Sequence, residues 1–317
     1  MQTVISQVLL LLAGMLALHP AQAQSFPDKR ITLYVSFGPG GPTDLAYRTL
    51  AEAASRHLGQ RIIVENKPGA SATLGAATVA RARPDGYTLA HLSSNVLRMP
   101  HMMKTDYDPL SDITWIIGFA DYLSGVVVRA DAPWKTWHEF INYAKANPKK
   151  ISYATTGLGG IQHSTLSDIA RKLGIEWVMV PYKSSPEATN ALLGGEVHAS
   201  AGSGGWAQFV RDGRLRLLVA TADKFPSFPD VPTLMELGYG FSTRAPIGVG
   251  GPKGMDPKVV ATLHDAFRAA MKDPEFLKTL ERHEMMAIYL SGADYLRWAR
   301  ERYAYEKAAV ERLGLKQ

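Results

Sequence analysis

Ile31-Thr32-Leu33-Tyr34-Val35 runs into Gly38-Pro39-Gly40-Gly41-Pro42, and a helical pattern from Leu45 to Leu58 follows. A β-branched strand that empties into a glycine turn and then a helix is half of a βαβ unit. Thr43 or Asp44 stands where a helix cap belongs. The same order returns later: Ile151 to Ala154, then Thr155-Thr156-Gly157-Leu158-Gly159-Gly160, then a helix from about His163. A chain built on two such units is constrained to an α/β architecture.

Between these landmarks the periodicity predicts strands at Arg61 to Glu65, Tyr87 to Leu92, Ser124 to Arg129, Trp177 to Pro181, Val197 to Ala201 and Leu215 to Thr221. Helices are predicted at Ala72 to Ala82, Trp137 to Ala146, Pro186 to Leu193, Pro257 to Lys272 and Asp294 to Leu313. The alternation indicates parallel βαβ units in two α/β domains. It restarts near Ser124, and the apolar, glycine-rich Ile247 to Gly251 reads as a return crossing. The expected division is therefore residues 24–121 plus 247–317 in domain 1 and residues 122–246 in domain 2.

Residues 1–23 carry no Asp, Glu, Lys or Arg. Val8 to Leu18 is a short apolar run, followed by Pro20 and Ala21-Gln22-Ala23, the pattern of a secretory signal cut after Ala23. The run is short for a membrane span. The expected mature protein starts near Gln24 and is exported to the periplasm. The chain has no cysteine, which excludes disulfides, thiolate metal sites and a Cys nucleophile. A core of the size that 317 residues allow needs no such staples. The formal net charge of +6 is modest at this length and does not by itself indicate a nucleic-acid partner.

Enzyme signatures fail one by one. There is no P-loop and no Gly-x-Ser-x-Gly, and neither His138-Glu139 nor His283-Glu284 is followed by a second His at metalloprotease spacing. Pro39 and Pro42 remove amide donors that a dinucleotide would require. No cofactor and no metal site is expected. What remains is a pair of glycine turns at helix N-termini, where free amides and the helix dipole attract anions.

Further motifs accompany these turns in order: Phe37 to Asp44, Val64-Glu65-Asn66-Lys67-Pro68-Gly69-Ala70, Pro84-Asp85-Gly86-Tyr87-Thr88-Leu89, Gln162-His163, Val180-Pro181-Tyr182-Lys183, Leu192-Leu193-Gly194-Gly195 and Asp230-Val231-Pro232-Thr233. The set, spread over nearly the whole mature chain, resembles the Bug (Bordetella uptake gene) family, the solute receptors of tripartite tricarboxylate transporters. The resemblance implies a type II periplasmic binding-protein fold: two α/β domains, two crossing strands and a ligand cleft between them. It implies carboxylate contacts at Phe37, Gly41, Thr43, Ser93 and Ser94 in one domain and at Thr155, Gly159 and His163 in the other. His163 reads equally as a capping or packing residue.

The sequence also departs from the family pattern. The cleft acid usual after the second Gly-Gly turn is missing from Ala199 to Trp206, where Ser203 and Trp206 stand instead. Trp206 reads either as an aromatic wall of the cleft or as a core anchor. Arg98 and Arg244 occupy positions that are commonly neutral; each reads as a partner for a distal carboxylate or as a surface residue. Without a cleft acid an ammonium-bearing ligand is disfavoured. The expected protein is a non-enzymatic, monomeric receptor for a small organic carboxylate, with a dicarboxylate or aromatic acid favoured, that serves membrane transporter subunits. The rival expectations are an exported hydrolase-like enzyme using Ser203 or His163, and a sensor for a signalling partner.

Overall fold

The computed structural model describes residues 26–157, 160–240 and 244–316. The apolar run and the expected cleavage after Ala23 lie outside them.

Two mixed sheets organise the chain. The first contains β1 (Ile31–Val35), β2 (Ile62–Asn66), β3 (Thr88–Leu92), β4 (Ile113–Tyr122), β10 (Pro246–Pro252) and β11 (Met285–Ser291), in the order β11-β4-β10-β3-β1-β2. The second contains β5 (Ser124–Arg129), β6 (Ser152–Thr155), β7 (Val178–Pro181), β8 (Ala199–Ser203) and β9 (Leu215–Ala220), in the order β7-β6-β8-β5-β9. The predicted parallel pairing holds for β1 with β2 and β3, and for β6 with β7 and β8. It fails for β4, β5, β9, β10 and β11, which pair antiparallel. These strands arrive from the crossings and the C-terminal segment instead of from βαβ units.

The helices are α1 (Pro42–Leu58), α2 (Leu74–Ala80), α3 (Ser94–Met102), α4 (Trp137–Ala146), α5 (Ile161–Leu173), α6 (Ser185–Leu193), α7 (Ala207–Arg211), α8 (Pro257–Ala270), α9 (Pro274–Arg282) and α10 (Gly292–Leu313). Their ends follow from local chemistry. Proline opens α1, and Gly59 closes it in the left-handed region at φ 68°. Thr136 and Glu139 form a capping box on α4. One face of the first sheet buries Leu33, Val35 and Ile247 with Tyr47 and Leu50 of α1 and Phe267 of α8. Trp115 joins Val96 and Leu97 of α3 and Tyr295 of α10 in a separate cluster. The second sheet buries Val126 and Val128 with Phe140 and Ile169, and Val127 with Ala188 and Leu192. Each such side chain contributes about 1.5–3 kcal/mol by leaving water.

The chain passes from the first sheet to the second at Leu123, the single residue between β4 and β5. It returns through residues 221–245. The two passages are joined where the Ala245 N–H donates to Asp121 at 2.7 Å. Close by, Gly204 approaches the turn before β11 so tightly that a Cβ would lie 2.0 Å from the His283 carbonyl oxygen. Any side chain there would push the two sheet-centred units apart.

Candidate ligand cleft

Strands β1, β3, β6, β7 and β8 all point their carboxyl ends at the space between the sheets, the usual location of ligand sites in open α/β folds. The residues that follow them line a cleft: Phe37, Gly38, Gly41, Pro42 and Thr43 after β1; Ser93, Ser94 and Asn95 after β3; Thr156 and Gln162 after β6; Ser184 and Ser185 after β7; Ser203 at the end of β8; and Tyr122 and Ala245 from the crossings. About 530 Å³ lies empty between these walls, counted to the mouth.

The cleft gathers the first turns of α1, α3, α5 and α6. The residues before the first three, Gly41, Ser93 and Gly160, make no side-chain cap bond. Ser184 does cap α6, accepting from the Glu187 N–H. Three helix starts without side-chain caps aim positive dipole ends and amides at one space. No carboxylate, ammonium, guanidinium or imidazole lines the cleft among the described residues. Its polar surface is hydroxyl and carboxamide: Thr43, Ser93, Ser94, Thr156, Ser184, Ser185, Ser203, Asn95, Gln162 and the Tyr122 phenol. Burial pushes that phenol well above the ordinary range, so it stays neutral.

Several of these groups are held by others. The Thr43 hydroxyl and the Tyr122 hydroxyl share a hydrogen bond of 2.5 Å. Asn95 Nδ2 donates to the Ser71 carbonyl at 2.9 Å, and Gln162 Nε2 donates to Ser124 Oγ at 3.2 Å. The Ser93 hydroxyl differs: it is buried and has no partner among the described residues. A buried hydroxyl in that state costs about 1–3 kcal/mol unless something else bonds it. Behind the wall, Asp44 ties the first turn together. Burial raises its pKa, but bonds from Arg48, the Gly40 amide and Asn66 outweigh burial and hold its carboxyl below the usual range.

The structure therefore brings Phe37, Gly41, Thr43, Ser93, Ser94 and Ser203 into one cleft. Thr155 stops one residue short; its buried hydroxyl also lacks a protein partner, and Thr156 takes the lining position. His163 is buried behind the cleft wall. Burial, and then the Arg98 charge, hold its imidazole below the usual range, so it is neutral near pH 7. Gly159 lies outside the described residues. Two expectations need correction. Arg98 does not reach the cleft: it is 1% exposed and forms a buried ion pair with Glu306, because the side of α3 that carries it packs on α10. Trp206 is the core anchor, 1% exposed, packed on Phe225 and Phe228 and donating to the Gly202 carbonyl. Arg244 is exposed and paired with Asp223 at 2.5 Å.

Asn95, Tyr122, Ser185 and Ala245 complete the cleft and were not singled out in the sequence, whereas Thr156, Gln162 and Ser184, which also line it, stand in or beside the sequence motifs without having been assigned to the site. Ser184-Ser185-Pro186-Glu187 did carry a signal, that of a helix start.

Two α/β units with an uncharged, amide- and hydroxyl-lined cleft between them define a periplasmic binding-protein architecture. The chain belongs to the tripartite tricarboxylate transporter family of receptors, whose model matches residues 46–315. A relative from Cupriavidus necator, described as a UPF0065 protein in the gbd 5′ region, is 45% identical over 303 residues, covering 95% of this chain and 93% of its own. Among solved structures, the periplasmic binding protein BugD is 29% identical with a TM-score of 0.86, covering 92% of this chain and 99% of its own. The R. palustris protein Rpa4515 with adipate is 27% identical with a TM-score of 0.85, covering 91% and 98%. No helix among the described residues is long and apolar enough to cross a membrane.

Proposed function

We propose that this chain is a non-enzymatic receptor that captures a small organic carboxylate between two lobes, residues 24–121 with 247–317 and residues 122–246, and delivers it to membrane transporter subunits. The observation that carries this is the cleft's neutral, donor-rich wall at converging helix starts. A carboxylate there gains about 1.5–3 kcal/mol for each charge-assisted bond and about 0.3–1 kcal/mol for each helix terminus. A few such contacts reach micromolar affinity, about 8 kcal/mol. The structure of the neighbour Rpa4515 is one with adipate, a carboxylate, which supports the same ligand class.

The same wall argues against other ligands and against catalysis. An ammonium group would sit without a counter-charge, at a cost of several kcal/mol. A hydrolase needs a base beside its nucleophile, and Ser203 lines a cleft with no ionisable base among its described lining residues. The receptor is expected to be monomeric, exported, and cut after Ala23. Binding of succinate, adipate, benzoate, terephthalate, aspartate and glutamate, measured by calorimetry, tests the proposal. Micromolar binding of one or more of the acids without an ammonium supports it. Binding of aspartate or glutamate alone refutes it.

A further inference from the structure

A second chamber of about 540 Å³, counted to its mouth like the first, adjoins the cleft. Phe37 and Thr156 line both spaces, so the chambers open on either side of one aromatic residue and one hydroxyl. Ser71 from the first unit and Tyr182 and Lys183 from the second form much of the remaining wall. The units meet at its edge, where a Cβ on Gly157 would lie 3.5 Å from Ser71 Oγ.

Taking the cleft as a carboxylate site, as proposed above, we infer that the ligand is an elongated acid whose chain passes Phe37 into this second chamber and whose second carboxylate is received by the Lys183 ammonium. Lys183 is the one charged side chain lining either chamber among the described residues. Its backbone N–H donates to Glu187, but no salt bridge engages its ammonium among the described residues. The two arginines that might have served are already neutralised, Arg98 by Glu306 and Arg244 by Asp223. A distal anion in the second chamber therefore meets an available cation, while the proximal one meets only neutral donors.

The chamber wall is also built at a cost. Ala70, Ser71 and Ala72 have φ of 43°, 51° and 67°, a left-handed run that L-residues avoid. Asn95, a lining residue of the first cleft, holds the run through the Ser71 carbonyl. One hydrogen bond thus connects a residue lining the first cleft to a residue lining the second chamber. The aromatic rings of Phe37 and Tyr182 suit a methylene chain between the two charges.

The test is calorimetry on the mature protein with hexanoate and adipate, and with diacids from succinate to suberate, for the native chain, Lys183→Met and Lys183→Arg. The native protein should bind adipate roughly 1.5- to fivefold tighter than hexanoate, the range of a solvent-exposed ion pair. The excess should shrink in high salt. Lys183→Met should bring the ratio to about one by weakening adipate, and Lys183→Arg should retain the preference. Equal native affinities for the two acids, or a preference that survives Lys183→Met, overturn the inference and leave the carboxylate proposal standing. Failure of every acid to bind the native protein removes both.

Discussion

Arg98 Nη1 donates to Ser164 Oγ at 2.6 Å, and the bond joins the helix layer of one sheet to that of the other. Arg98 lies four residues beyond the cleft residue Ser94 on α3, and Ser164 lies two residues beyond Gln162 on α5. The guanidinium is ion-paired with Glu306 of α10, which also accepts from Arg302 at 2.6 Å. A buried charge cluster behind the cleft thus spans both units, and it reaches the second unit through a hydroxyl.

Ser164→Ala should therefore leave the cleft wall intact and weaken ligand binding. Losing a bond to a charged donor costs about 1.5–3 kcal/mol, and only the conformation with the units together loses it. Calorimetry with a bound acid reads this; unchanged affinity would detach the bond from closure. Glu306→Gln acts on the fold instead. It leaves the buried Arg98 and the half-buried Arg302 short of a counter-charge and should lower unfolding stability by about 3–5 kcal/mol in a urea titration.

Ser93→Ala separates binding from stability. The Ser93 hydroxyl is buried without a partner among the described residues, so its removal should leave the ligand-free protein equally stable or up to about 1 kcal/mol more stable. Ligand affinity should fall by about 1.5–3 kcal/mol if that hydroxyl bonds a carboxylate. A destabilised ligand-free variant would show that the hydroxyl serves the fold.

His91 sets an acid limit. It is fully buried between Phe37 and Tyr47, and neither ring nitrogen has a partner. Burial lowers its pKa from 6.5 to about 3. The unfolded chain therefore binds one more proton between these values. Stability from this site is complete above pH 6.5 and falls by about 1.4 kcal/mol per pH unit on acidification toward pH 3. Tyr47, the titratable ring against it, stays neutral throughout, its pKa raised by burial. Asp121 runs the other way: burial raises it to about 6, so its contribution is present below pH 3.8 and is lost as pH rises through 6. The difference between the native chain and His91→Leu cancels Asp121. Denaturant melts from pH 7 to pH 4 should show the variant losing less stability; parallel curves would contradict this.

Trp206→Ala should cost about 3–5 kcal/mol of stability through the cavity it leaves. It should not change the order in which acids bind, because the indole faces Phe225 and Phe228. A selective loss of aromatic acids would return Trp206 to the cleft.

Local chemistry decided much of this protein in advance. The two strand–glycine turn–helix units, the caps and the positions of Phe37, Gly41, Thr43, Ser93 and Ser94 all follow from neighbours a few residues apart. Strand β4 was not legible, because Ile113 to Tyr122 is buried on both faces and shows no alternation to betray a strand. Tyr122, Ser185 and Ala245 enter the cleft from segments that only the two crossings bring together. The fates of Arg98 and Trp206 belonged wholly to the tertiary structure. A sequence names a residue on a helix or at a strand end, but whether its side chain meets ligand, core or a buried counter-charge depends on which face another element covers. Here Glu306 of α10, 208 residues along the chain from Arg98, settled that for Arg98, and Phe225 with Phe228 settled it for Trp206.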